Sequence, residues 1–327
     1  MKTNKAIFLL AWALPALGLI ASAQDKAAAS AVTAAEPLKI SGYAQVLSTT
    51  QSAGVDGLSV RRVRLALAGE ISKTIKIKAE IDALKSPALI DAQIDWTPAA
   101  AAGLRIGQFK VPFSLENMTS TSDLDWINLA QAVSKLVPGQ DNSSNGRDIG
   151  LALTGKASLF EYYLGVFNGA GINKADTNDQ KDIAARLVVR PLSGLALGAS
   201  LYNGCHSATA GAAPVTRDRA GFEAAWVSPT LSLKAELIRA ADAAIHKQGW
   251  YAQAGYFVLP KKIQALIRFD SLDVNRDQAT DRVDIASAGL TWFIVGKTKI
   301  QVNYEHTRNE AGAVLNRAFL VKLQIGY

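Results

Sequence analysis

The sequence predicts an all-β protein, a transmembrane antiparallel β-barrel of about 16 strands. Short stretches of alternating polar and apolar residues recur from Leu38 to Tyr327, and the segments between them are alternately brief turns and longer polar loops. Beyond the N-terminus, no run of about 18 apolar residues could form a membrane-spanning helix. Because no composition break marks a linker, one structural domain is the simpler interpretation.

The N-terminus has the features of an export signal. Lys2 and Lys5 precede an apolar run over residues 6–20, and residues 21–23 are the small Ala-Ser-Ala that a signal peptidase recognises. An uncleaved membrane helix is the alternative, because the run approaches the ~20 residues needed to span a bilayer. Pro15 and the cleavage pattern argue against that alternative. The predicted organisation is a signal peptide over residues 1–23, an unstructured periplasmic lead-in over 24–37 and a barrel over 38–327.

The connections between the expected strands differ in length on the two sides of the membrane. The short turns are expected at residues 70–72, 98–102, 157–158, 191–194, 228–229, 259–261 and 295–296. The longer polar links fall mostly at 50–57, 111–145, 169–180, 204–215, 273–280 and 309–314. Short periplasmic turns and long outer loops are typical of bacterial barrels. An even number of strands would leave both termini in the periplasm, and the last strand ends on the aromatic Tyr327.

Alternation within a strand assigns its two faces, because successive side chains point to opposite sides of a sheet. In residues 75–82, three isoleucines and an alanine alternate with Lys76, Lys78, Glu80 and Asp82. A basic side chain facing lipid at the bilayer midplane costs ~2–4 kcal/mol, so these charges should face the lumen. The same argument sends Leu65, Leu67, Phe319 and Leu323 outward, and Arg62, Arg64, Lys322 and Gln324 toward water. Residues 103–110 and 281–294 change phase midway, which indicates a bulge or a different register.

A barrel of about 16 strands leaves an aqueous channel, so the polar inner face is best explained as a pore wall. The alternative is that these charges only pair with one another. The 35 residues of 111–145 far exceed a common loop length and contain many apolar residues. We expect this third outer loop to fold into the lumen and narrow it; an exposed outer cap is the alternative.

Four segments resemble the phosphate-selective porin O and P family. They are RRVRL at 61–65, DAQIDW at 91–96, LRIGQFKVPFSLE at 104–116 and GRDIG at 146–150, and the resemblance covers roughly residues 38–170. It implies a 16-stranded, usually trimeric channel in which an arginine ladder and constriction lysines guide phosphate.

The motif positions nominate particular residues for the anion pathway. The resemblance nominates Arg61, Arg62 and Arg64 for the ladder and Lys110 for the start of the constriction. Alternation favours Arg62 and Arg64 over Arg61, which has the outward phase unless it lies at the rim. The predicted anion pathway is Arg61, Arg62, Arg64, Lys76, Lys78, Lys110, Arg186 and Arg190. The predicted constriction-loop residues are Ser114, Glu116, Asp123, Asp125 and Lys135. Arg217, Arg219, Lys234 and Arg268 also take the inward phase, without support from a motif.

The expected function is a water-filled porin of the bacterial outer membrane that passes small solutes, among them anions such as phosphate. Residues 111–145 carry four acidic residues and one lysine, a net charge of −3, so a general diffusion porin without phosphate preference is an alternative. A non-conducting structural or adhesin barrel is another. The expected partners are small anionic or polar solutes, outer-membrane lipid and lipopolysaccharide, and two further copies in a homotrimer; no nucleic acid is expected.

No catalytic site is expected. The three histidines, His206, His246 and His306, have no evident serine or acid partner, and a nucleophile needs a base within hydrogen-bond reach. Cys205 excludes an intrachain disulfide because it is the only cysteine. It lies in an expected loop beside His206, and a metal site wants three or four ligands. We therefore expect no metal, no cofactor and an incidental thiol.

Overall fold

The computed structural model describes residues 38–207 and 212–327. This part of the chain forms sixteen β-strands that close into one barrel. None of the helices in the described ranges is long and apolar enough to cross a membrane. The predicted signal peptide and lead-in, residues 1–23 and 24–37, lie outside the described residues.

The strands follow one another around the barrel in chain order. They are β1 (Lys39–Gln51), β2 (Gly57–Glu70), β3 (Ile75–Asp82), β4 (Leu89–Ala99), β5 (Ala102–Lys110), β6 (Arg147–Ala157), β7 (Phe160–Phe167), β8 (Asp182–Leu192), β9 (Leu195–His206), β10 (Val215–Val227), β11 (Leu231–Asp242), β12 (Ile245–Leu259), β13 (Ile263–Asp273), β14 (Val283–Val295), β15 (Thr298–Asn309) and β16 (Val314–Gly326). Two short helices, α1 (Leu115–Met118) and α2 (Gln131–Leu136), lie in the link between β5 and β6.

Every neighbouring pair is antiparallel, and β1 closes the barrel against β16 from Tyr43↔Gly326 to Gln51↔Ala318. Closure pairs the backbone groups of both edge strands, which a lipid environment requires. The predicted strand number and the predicted short turns are both confirmed. Cys205 corrects an expectation, since it lies in β9 and is buried instead of belonging to a loop.

The two faces of the strands agree with the alternation in the sequence. Leu65 and Leu67 are each 40 % exposed on the outer surface, and Phe319 and Leu323 are similarly exposed near the C-terminus. Such an outer belt of large apolar side chains faces the hydrocarbon of the membrane. Lys322 and Gln324 do face inward, but they are 1 % and 0 % exposed. The prediction that they face water is therefore wrong, because a loop covers them.

A β-bulge changes the phase of β2 at its most basic point. Gln45 on β1 is paired with Arg62, whereas the next residue, Val46, is paired with Val60. Arg61 is thus the extra residue, and a bulge re-aims the side chain that it carries. The Arg61 guanidinium donates to Asn128 of the β5–β6 link at 3.0 Å. The outward phase predicted for Arg61 is therefore wrong.

Each of the two segments of uncertain phase has regular register toward one neighbouring strand and a register shift toward the other. Residues 103–110 are paired without interruption with β6, from Gly103↔Thr154 to Lys110↔Arg147. Residues 283–292 are paired equally regularly with β13, and the one shift on the other side of β14 lies between Phe293 and Val295. The apparent phase changes arise because aromatic side chains such as Phe109 lie on the inner face.

Candidate functional site at the constriction

The link of residues 111–146, loop L3, packs against the inner wall of the barrel. Phe113, Val133, Leu136 and Val137 are at most 1 % exposed. They join an apolar cluster with inward-facing residues of the wall, including Phe109, Tyr202, Ile238, Tyr251 and Leu272. Burying each large apolar side chain contributes ~1.5–3 kcal/mol. This contact holds the loop inside the barrel.

The N-terminus of α1 is attached to β11 by a buried carboxylate. Ser114 caps the helix by accepting from the Asn117 N–H at 3.2 Å. Glu236 accepts from the backbone N–H groups of Leu115 and Glu116 at 2.9 and 2.8 Å, and from the Tyr251 hydroxyl at 2.7 Å. Free N–H groups at a helix start need acceptors, and a negative charge there is favourable beside the positive end of the helix dipole. Glu236 therefore fixes where the loop begins its path across the lumen.

Glu116 secures the middle of the loop. Its carboxylate accepts from the Ala130 N–H at 2.9 Å and lies 3.6 Å from Arg268 on β13. Burial raises the pKa of Glu116 to about 7, although the Arg268 guanidinium lowers it. The same Arg268 stacks on the ring of Trp126, 4.9 Å from its centroid. Glu116 thus serves the docking of the loop.

Two further acidic residues of loop L3 also point at the wall that carries it. Asp125 accepts from Lys234 at 2.6 Å and from Gln253 at 2.7 Å. Asp141 pairs with Arg217 and Arg219 on β10. The basic residues predicted to line the pore on β10, β11 and β13 therefore anchor the loop. Asp123 and Lys135, by contrast, are exposed.

The other side of loop L3 faces β2 and β5 with neutral groups. Lys110 donates to the carbonyl oxygens of Asn117 and Thr119 at 2.5 and 2.6 Å. Arg64 donates to the Thr121 hydroxyl at 3.4 Å. A small cavity in this region is lined by Arg62, Arg64, Lys110, Arg147, the acidic Glu116 and polar loop residues such as Asn117 and Thr119.

This cavity is the centre of the constriction cluster, which we define by six cations and three carboxylates on β2 to β6. Its members are Arg61, Arg62, Arg64, Lys78, Lys110 and Arg147 with Glu80, Asp82 and Asp91. Six positive and three negative charges leave a net charge of +3. Glu116 of loop L3 also lines the cavity, but its ion pair is with Arg268; Asp125 and Asp141 likewise pair with the opposite wall.

The structure separates the predicted pathway residues into three groups. Arg61, Arg62 and Lys110 have no carboxylate within ion-pair distance among the described residues; Arg62 donates to Gln45 at 3.1 Å. Arg64 and Lys78 also lie at the constriction but pair with carboxylates there. The remaining three lie away from it: Lys76 pairs with Glu70, Arg190 with Glu161, and Arg186 with buried Glu223.

The sequence reasoning did not nominate several residues that shape this site. Glu236 and Arg147 have strand positions that alternation places inward, but nothing local distinguishes them from a solvated charge. The inner apolar cluster left a weak signal, namely the phase change at Phe109. In the sequence, Gly146 stands out only as the first residue of the GRDIG motif. It has a φ of 74°, and a side chain there would collide with Asn117 of loop L3.

Comparisons with known proteins agree with this architecture. A family model described as phosphate-selective porin O and P matches residues 42–210 and 202–319. A search of curated proteins finds no match.

Solved porin structures share the fold at low identity. An anion-selective porin from Comamonas acidovorans superposes with a TM-score of 0.69 at 13 % identity, covering 89 % of this chain and 99 % of that one. Salmonella typhi OmpF, solved in complex with daunomycin, superposes with a TM-score of 0.67 at 10 % identity, covering 89 % of this chain and 97 % of that one. The trimer form of OmpT from Vibrio cholerae superposes with a TM-score of 0.63 at 11 % identity, covering 89 % of this chain and 99 % of that one.

The family match spans most of the chain, and the closed sixteen-stranded barrel is the fold of these porins. Fold and family indicate a channel rather than an enzyme. This chain belongs to the phosphate-selective porin O and P family and is a diffusion channel of the bacterial outer membrane.

Proposed function

We propose that this porin passes small anions in preference to cations and that inorganic phosphate is among them. The observation that carries the proposal is the net charge of +3 in the constriction cluster. Fixed positive charge in a narrow, weakly screened passage raises the local concentration of anions. Guanidinium groups suit phosphate because they stay charged and present a planar fork of donors to its oxygens.

The geometry supports weak, multiple contacts instead of one tight site. Arg62 and Lys110 donate to neutral oxygens, so a passing anion competes with an amide or a carbonyl and not with a carboxylate. A channel must bind weakly at several places to release what it admits. Millimolar affinity, about −4 kcal/mol, is sufficient for this.

The reversal potential of a single channel in a potassium chloride gradient tests the proposal. Wild-type protein should show anion preference, and the double variant Arg61→Gln/Arg62→Gln should lose much of it. Arg190→Gln is the matched control, since Arg190 is 51 % exposed at the barrel end and paired with Glu161. Inorganic phosphate should reduce the chloride current of the wild type more than that of the double variant. Cation preference in the wild type would refute the proposal.

We further propose that three copies assemble in the outer membrane and contact lipopolysaccharide. The trimer form of the structurally similar OmpT from Vibrio cholerae supports this assembly. Light scattering of the purified channel, corrected for bound detergent, should give three chains per particle; one chain per particle would contradict it.

A further inference from the structure

Two arginines and a histidine face outward near the outer ends of β15 and β16. His306 is paired with Arg317 across the two strands, and Arg308 lies two residues further along the same face of β15. The Arg308 Nε donates to the His306 Nε2 at 2.7 Å, and both arginines act electrostatically on His306. Both arginines are exposed, and among residues 38–207 and 212–327 neither guanidinium has a carboxylate within ion-pair distance. We call these three residues the outer basic cluster.

The outer basic cluster lies where the outer surface changes from apolar to polar. Two residues nearer the membrane centre, Tyr304 is paired with Phe319, and these side chains are 43 % and 49 % exposed. Aromatic girdles mark the interfaces of the apolar band of a barrel, so the cations lie at the depth of the lipid headgroups. Asp284 is the register neighbour of Arg308, but its carboxylate forms an ion pair with Arg282 at 3.5 Å. The two arginines therefore present uncompensated positive charge to the outer leaflet.

An apolar groove of about 780 Å³ begins at the outer basic cluster and crosses the outer face of the barrel. Tyr304 and His306 line its upper end on β15. Ala286 lies near the outer end of β14, whereas Ala224 lies near the periplasmic end of β10, so the groove descends into the membrane. Alanines form its floor: Ala224, Ala235, Ala252, Ala254, Ala286 and Ala288.

The length of the groove fits a lipid acyl chain. Six strands spaced by ~4.8 Å span ~24 Å. Because barrel strands are tilted by ~40°, a row perpendicular to them descends by ~15 Å over this span, which is half of a ~30 Å hydrocarbon core. The groove therefore reaches through one leaflet. Register pairs connect the residues of this row: His306, Ala286, Phe269, Ala252, Ala235 and Ala224.

We propose that lipid A, the phosphorylated and acylated anchor of lipopolysaccharide, binds with a phosphate on the outer basic cluster and an acyl chain in the groove. Charge complementarity selects this occupant, because guanidinium groups without a carboxylate partner match phosphate oxygens. The neighbouring groove beside Arg239 differs, since the Asp218 carboxylate shares its lining. The inference rests on the proposed contact with lipopolysaccharide and assigns it a place on the barrel.

Native mass spectrometry of the delipidated channel in detergent, titrated with lipid A, tests the site. Arg308→Gln/Arg317→Gln should raise the dissociation constant about 30-fold, because both cations strengthen the attraction to an anionic lipid. Lys156→Gln/Arg190→Gln is the matched control, since it removes two cations that pair with Glu161 at the periplasmic end and should bind like wild type. Lipid A stripped of its phosphates should bind wild type and the first variant equally.

A second variant tests the groove. Ala252 is exposed on the groove floor, so Ala252→Phe fills the groove without entering the lumen and should weaken binding of lipid A with or without its phosphates. Loss of trimers in this variant with unchanged lipid affinity would show that a second copy occupies the groove, and would overturn the inference.

The remaining outcomes separate the site from the proposed function. Equal affinity of wild type and Arg308→Gln/Arg317→Gln for lipid A would overturn the site and leave the contact elsewhere on the barrel. No binding by wild type would refute both the site and the proposed contact. The reversal potential of the arginine variant should match that of wild type, because both arginines lie outside the lumen. A channel that prefers cations but binds lipid A as described would refute only the proposed anion preference.

Discussion

The two sides of the lumen use the same residue types differently. On β10, β11 and β13, four inward cations each meet one of three loop L3 carboxylates: Asp141, Asp125 or Glu116. At the constriction cluster, three inward cations, Arg61, Arg62 and Lys110, meet none among the described residues. An inward arginine therefore has no fixed role in a barrel. With a carboxylate it anchors the loop, and without one it contributes positive potential to the water path.

Removing the loop L3 carboxylate that pairs with β10 should have the largest effect. Asp141→Asn leaves Arg217 and Arg219 facing each other with reduced counter-charge. Breaking a buried pair by removing one partner costs ~3–5 kcal/mol, so the free energy of unfolding in urea should fall by about that amount. Anion preference should rise at the same time. Asp277→Asn, at an exposed carboxylate, is the control, and equal stability of the two variants would contradict the anchoring role.

Glu236→Ala should release the start of loop L3. The variant leaves the backbone N–H groups of Leu115 and Glu116 without their acceptor. Each unsatisfied buried donor costs ~1–3 kcal/mol. We expect a loss of about 3 kcal/mol in unfolding free energy and a larger, noisier single-channel conductance. Glu310→Ala on the outer rim is the comparison variant; unchanged conductance in Glu236→Ala would show that the loop is held by apolar packing alone.

Protonation of Glu116 should make the attachment of loop L3 to β13 sensitive to pH. Its pKa of about 7 in the folded protein exceeds the value of ~4.3 expected in an unfolded chain. The protonated form is thus favoured by folding, so this contribution is complete below about pH 4.3 and is lost as the pH rises through 7. Wild type should lose roughly 3–4 kcal/mol of unfolding free energy over this range relative to Glu116→Gln, which cannot titrate. Parallel pH profiles for the two proteins would disprove the assignment.

The smallest effect is expected when one arginine is replaced. The comparison is between an unpaired arginine and a paired one. Arg62→Gln removes a charge that only Gln45 contacts, whereas Arg64→Gln removes one that Glu80 and Asp82 already offset. One charge a few ångströms from a hydrated ion is worth about 1 kcal/mol in water, roughly a fivefold change in local concentration. The permeability ratio of chloride to potassium should therefore fall further in Arg62→Gln. An equal or larger fall in Arg64→Gln would remove the distinction between unpaired and paired arginines.

Most of the architecture follows from local patterns in the sequence. The period of two in segments such as residues 75–82 requires one face in lipid and the other inside, whatever lies opposite. Turn lengths then give the strand count and the direction of the chain. The bulge at Arg61 escaped this reasoning, because one extra residue in β2 is defined only by its pairing with β1.

Strand periodicity and the cost of exposing charge to lipid are local properties. The amino-acid sequence alone therefore specifies a barrel with apolar side chains outside, charged side chains inside and a long third loop. Tertiary structure alone decided which charges are neutralised. Asp141 meets Arg217 across 76 residues of chain, and Asp125 meets Lys234 across 109, because loop L3 packs on the far wall. No spacing encodes those pairings. The same packing buries Lys322 on β16, which alternation alone places in channel water.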